Sequence, residues 1–127
     1  MSLNVMVVDS SAVVRAMVVK VLKMTEVPFG EIIQAADGKE GLELLADHGV
    51  DLVLVDDGIR AATGEKMIEK IRGNEAWQAL PIIVISTEGS VTRIERLQQE
   101  KASFVRKPFT PVMVRKILAQ VTGQTGG

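Results

Sequence analysis

The stretch Asp51-Leu52-Val53-Leu54-Val55-Asp56-Asp57-Gly58 decides the reading of this chain. Four consecutive apolar residues, rich in branched side chains and with no polar alternation, describe a strand covered on both faces. Acids and a glycine then end it abruptly. A second run of the same kind, Val5-Met6-Val7-Val8, also stops at an acid, Asp9, followed by Ser10. Further strand-like runs occupy residues 31–35, 81–86 and 103–106, beside 4–9 and 51–56.

The segments between these strands carry helical spacing. Val14, Met17, Val18, Val21 and Leu22 form one apolar stripe, and Leu42, Leu45 and Ala46 a second that runs to Gly49, read as a left-handed cap. Met67, Ile68 and Ile71 mark a third helix, with Thr63 as its N-cap. The fourth, 91–101, has a narrow stripe of Val91, Ile94 and Leu97 and should be the most exposed. Thr110-Pro111 opens the last, with threonine as cap and proline at the first helical position. Met17, Met24, Met67 and Met113 read as fillers of core gaps. His48 reads as a solvated residue at a helix end, and Trp77 as partly buried packing. Alternating strands and helices of this length argue for a parallel sheet with helices on both faces, which collects functional groups at the carboxyl ends of the strands.

Composition narrows the classes of function. A net charge of −1 and very few aromatics argue against direct nucleic-acid binding. The longest apolar runs are too short to cross a bilayer, and no signal peptide is recognisable, so a cytoplasmic location is expected. With no cysteine, thiolate metal sites are excluded.

The strand ends hold Asp9-Ser10, Asp56-Asp57-Gly58, Ser86-Thr87 and Lys107-Pro108-Phe109. Carboxylates brought together repel and call for a cation; hard oxygen donors suit Mg²⁺, and an aspartate beside a metal and a lysine can accept a phosphoryl group. On these residues the chain resembles the receiver domains of two-component systems, the CheY-like family, over most of its length. The resemblance implies a flavodoxin-like doubly wound (βα)5 fold with a five-stranded parallel sheet in order 2-1-3-4-5. It also implies one receiver domain over 1–127, with its core at about 4–122. Asp56 matches the phosphoacceptor. Asp9, Asp56 and the Gly58 backbone carbonyl match the metal ligands, with Ser10 standing where the family has a second acid. Ser86 and Lys107 match the phosphate-binding pair, Phe104 the aromatic switch, and Thr87 and Pro108 the supporting loops, the Lys107–Pro108 bond being cis.

The implied function is a signalling module rather than an enzyme. It would take a phosphoryl group from a histidine kinase or phosphotransfer protein and present the surface of helix 4, strand 5 and helix 5 to a downstream protein or fused effector domain. Neither nucleic acid nor membrane is an expected partner. The alternative is a pseudo-receiver that binds proteins without phosphorylation. A phosphatase is disfavoured because Gly58 stands where its second acid would be, and a flavin carrier because no phosphate loop follows strand 1.

The chain departs from the family at four places. Ser10 replaces an acid, so Mg²⁺ binding should be weaker than in a typical receiver. Asp57 is an added acid whose side chain should point to the other face of the strand. The segment Gly58 to Gly64 lacks the usual proline. Glu100-Lys101 replaces a Gly-Ala that ends helix 4.

Overall fold

The computed structural model describes residues 3–56, 61–86 and 91–122. The elements run β1 (Leu3–Val8), α1 (Ala12–Met24), β2 (Phe29–Ala35), α2 (Gly38–Asp47), β3 (Leu52–Asp56), α3 (Ala61–Arg72), a short 3₁₀ turn (Glu75–Trp77), β4 (Ile82–Ser86), α4 (Val91–Gln99), β5 (Ser103–Arg106) and α5 (Pro111–Thr122). All strand pairs are parallel and the order is β2-β1-β3-β4-β5. The expected flavodoxin-like topology is therefore present.

The unbroken apolar runs follow from burial on two faces. Met6, Val8, Val53, Val55, Ile82 and Val84 pack with Leu45, Met67, Ile68, Ile71 and Leu97 of α2, α3 and α4. Val5, Val7, Leu52, Leu54, Ile83 and Ile85 face the other way, toward Val18, Leu22, Val114, Ile117 and Leu118 of α1 and α5. A fully buried aliphatic side chain contributes about 1.5–3 kcal/mol, against about 1–2 kcal/mol for ordering one residue's backbone. The three central strands are therefore held by their own side chains. β5, whose residues are at most half-buried, depends on its neighbours.

Several local expectations change. Met67 is buried, but Met17 is 63% and Met24 56% exposed, so these two fill no core gap. Their stripe is wider than the face α1 buries, because only Val18 and Leu22 are fully covered. α2 ends on His48 in an extended conformation, whose N–H donates to the Leu44 carbonyl; Gly49 is not in the left-handed region. His48 is tied to Glu31, Nδ1 to Oε2 at 3.1 Å, rather than only solvated. α3 begins at Ala61, so Thr63 lies inside its first turn rather than ahead of it. Thr110 does cap α5, its Oγ1 accepting from Met113 N.

The end of α4 lacks the family's glycine but keeps the glycine geometry. Lys101 takes φ 57, Ala102 N donates to Leu97 O and Lys101 N to Gln98 O, both at 2.9 Å. This is a Schellman cap, closed by the buried pair Leu97 and Ala102. A second device holds it. Arg72, at the end of α3, donates from Nε to Glu100 O (2.8 Å), from Nη2 to Lys101 O (3.0 Å), and from Nη1 to Trp77 O (3.0 Å) and Leu80 O (2.6 Å). Burial pushes the Arg72 guanidinium below its ordinary value, with Glu100 opposing.

Candidate functional site

Strand register brings the predicted groups to one edge. Val8 pairs with Val55, so the next residues, Asp9 and Asp56, stand side by side at the ends of β1 and β3. Asp56 pairs with Ile85, one residue before Ser86, and Ser86 pairs with Arg106, one before Lys107. Asp9, Asp56 and Ser86 are 0%, 2% and 0% exposed. The Lys107 N–H donates to the Ser86 carbonyl at 2.9 Å, which brings the lysine back over the sheet edge. Its Nζ lies 3.0 Å from Asp56 Oδ1. The Lys107–Pro108 peptide is cis, as expected.

Two buried carboxylates next to each other are unfavourable unless cations offset them. Lys107 supplies one charge directly to Asp56. Asp9 is held by its own chain: its Oδ1 accepts from Ser11 N at 2.7 Å, and its backbone N–H donates to Ala35 O at 3.1 Å. That turn hands the capping role to Ser11, whose Oγ accepts from Val14 N, and not to Ser10, which is exposed. The N-cap of α1 is thus Ser11.

Two residues of this edge were not legible in the sequence. Arg15, one turn along α1 from Ser11, donates from Nη1 to the Asp9 backbone carbonyl at 2.6 Å and from Nε to Gln34 Oε1 on β2 at 3.2 Å. The one available signal was its position six residues after Asp9, on the face of α1 that returns to the strand ends.

The donor set suits a hard divalent cation. Asp9 and Asp56 supply two carboxylates, and Mg²⁺ takes few carboxylates while keeping water on its other positions. Gly58, named for its carbonyl, lies outside the described residues, as do Asp57, Thr87 and Glu88. Phe104 is half-buried and packs against the core formed with α2, α3 and α4. A groove of about 530 Å³ opens beside the acids, lined by Val14, Met17, Val18, Val21, Pro108 and Phe109, with Asp56 and Lys107 at its end. Sequence reading placed an interaction face at α4, β5 and α5 and did not foresee this groove.

The sequence profile of the response regulator receiver domain matches residues 5–119. A chemotaxis protein CheY homolog of Campylobacter jejuni is 27% identical over 127 residues, spanning 98% of this chain and 96% of that protein. The two-component response regulator ORR5 of Oryza sativa is 28% identical over 120 residues, spanning 93% and 87%. Among solved structures, the Vibrio cholerae chemotaxis protein CheY4 superposes with a TM-score of 0.82 at 27% identity, covering 95% of this chain and 99% of that one. Receiver domains of this family are signalling modules and generally bind Mg²⁺. With its fold and the register of its strand ends, the chain belongs to the response regulator receiver domain family.

Proposed function

We propose that the chain is a phosphorylation switch in a two-component phosphorelay, with Asp56 as phosphoacceptor. The observation that carries this reading is the Asp56–Lys107 pair, a 2% exposed carboxylate 3.0 Å from an ammonium at the mouth of the apolar groove. The donor is a histidine kinase or phosphotransfer protein. An Asp56 oxygen attacks phosphorus, the P–O bond forms as the P–N bond to the donor's histidine breaks, and the electron pair leaves on the imidazole. Lys107 offsets charge on the new acyl phosphate, and the Ser86 hydroxyl donates to a phosphoryl oxygen. Asp9, Asp56 and the Gly58 carbonyl, with Ser10 as a weaker fourth donor, would hold Mg²⁺, which would supply charge neutralisation; the serine predicts weaker binding than in receivers with two acids.

The drawing in of Ser86 and Phe104 then biases the face of α4, β5 and α5 toward a downstream protein or effector domain, with Thr87 and Pro108 shaping the loops that move. The domain spans the whole chain, with its core at about 4–122, and works in the cytoplasm; no helix among the described residues is long and apolar enough to cross a membrane.

Incubation with a small-molecule phosphodonor over a range of Mg²⁺ concentrations tests this. The expected result is a mass gain of one phosphoryl group that depends on Mg²⁺ and is lost in Asp56→Asn. No gain at any Mg²⁺ concentration overturns it in favour of a phosphorylation-independent binding module.

A further inference from the structure

We infer that Arg15, braced by Gln34, is a positioning residue that sets how strongly the Asp9–Asp56 pair attracts a divalent cation. This rests on the reading of the pair as a Mg²⁺ site. Arg15 hydrogen-bonds no carboxylate. Its Nη1 is fixed on the backbone carbonyl of Asp9 and its Nε on the neutral amide of Gln34. The guanidinium is thereby anchored to the very residue that brings one of the two carboxylates. Meanwhile the Asp9 carboxylate is turned toward the edge by Ser11 N.

At the pair itself, the carboxylates of Asp9 and Asp56 meet Lys107 at Asp56 and Arg15 at the Asp9 backbone. Ser10 adds none where a further acid would tip the balance to negative. An incoming dication therefore meets a pair already compensated, by Lys107 at the Asp56 carboxylate and by Arg15 beside Asp9. A fixed charge one residue's width from a ligand, near a solvated edge, changes affinity for a dication by about threefold to tenfold, or about 0.7–1.4 kcal/mol. Gln34 matters because its amide holds the guanidinium at that place without neutralising it. A carboxylate at position 34 would keep the contact and cancel the charge.

The opposite role, in which Arg15 only keeps Asp9 in its ligating geometry, predicts the opposite sign. Removing the arginine would then loosen the cation.

Calorimetric titration of MgCl₂ at constant ionic strength separates the two. Arg15→Gln and Gln34→Glu, neither of which removes a proposed ligand, are each expected to tighten Mg²⁺ binding by about threefold to tenfold relative to the unmodified chain. Ser10→Asp is the reference for restored acid charge and is expected to tighten it further. Thermal unfolding of each variant without metal verifies folding, and Gln34→Glu keeps the Arg15 contact if Arg15→Gln folds poorly. Unchanged or weaker binding in the folded variants overturns the inference while leaving the Mg²⁺ site intact. Absence of Mg²⁺ binding even in Ser10→Asp overturns the metal reading itself, and this inference with it.

Discussion

The two ends of the sheet use the same residue types for opposite purposes. At the amino end, polar groups close chain segments on one another. Asn4 N donates to Asp51 Oδ2, Asn4 Nδ2 to Gly49 O, and Glu31 N to Asn4 Oδ1, each at 2.8 Å. Arg72 gathers four carbonyls from three segments at the same end. Here the charged and amide side chains complete backbone hydrogen bonds that helix ends and strand starts leave open. At the carboxyl end, Asp9 and Asp56 are buried together, an arrangement that costs stability except where cations offset it.

Breaking the fastened end should have the largest effect. Arg72→Ala removes four donated hydrogen bonds from a charged group and is expected to lower stability by about 2–4 kcal/mol, read from the urea midpoint. A loss under about 1 kcal/mol would mean that water replaces the guanidinium without cost and that the contrast between the ends is false.

The working end should respond with the opposite sign. Asp9→Asn keeps an oxygen for Ser11 N but deletes one of two adjacent buried charges. Metal-free protein is expected to gain about 1–2 kcal/mol, seen as a higher Tm, while Mg²⁺ ceases to raise Tm. Destabilisation instead would show that Asp9 is fully compensated by its surroundings.

The smallest effect belongs to Lys101. A non-glycine residue at φ 57 stores about 1 kcal/mol that glycine would not, so Lys101→Gly is expected to stabilise by about 0.5–1 kcal/mol. No gain would indicate that the contact of its carbonyl with Arg72 already relieves the strain.

The same contrast explains what could be read in the sequence. Patterns that repeat along one element were legible: the double-faced apolar runs of β1 and β3, the bounds of β5, and the Thr110-Pro111 start of α5. So was the meeting of Asp9, Asp56, Ser86 and Lys107, because strand register in a parallel sheet follows from topology. Contacts from a side chain to a distant backbone were not. Nothing in Arg15 or Arg72 as residue types tells which carbonyls they reach. Two adjacent serines gave no means of choosing the cap until the Asp9 turn placed Ser11 there. Met17 shares the helical period of Val14, Val18 and Val21, and periodicity does not say where the covered face stops. Lys101 was hidden for the converse reason: a left-handed cap announces itself by glycine, and here the bonds around it replace that signal.

The clamp at the amino end has an optical consequence. Trp77, whose carbonyl accepts from Arg72, is the chain's single tryptophan, and its half-buried ring packs on the core that faces α2, α3 and α4. Four residues of β4, Ile82 to Ile85, lie between it and Ser86, about 13 Å of strand. The chain therefore carries an intrinsic fluorophore at the edge opposite Asp9 and Asp56. Its emission is expected to follow the fastening of the fold, and to be insensitive to changes at Asp56 unless they travel through the sheet.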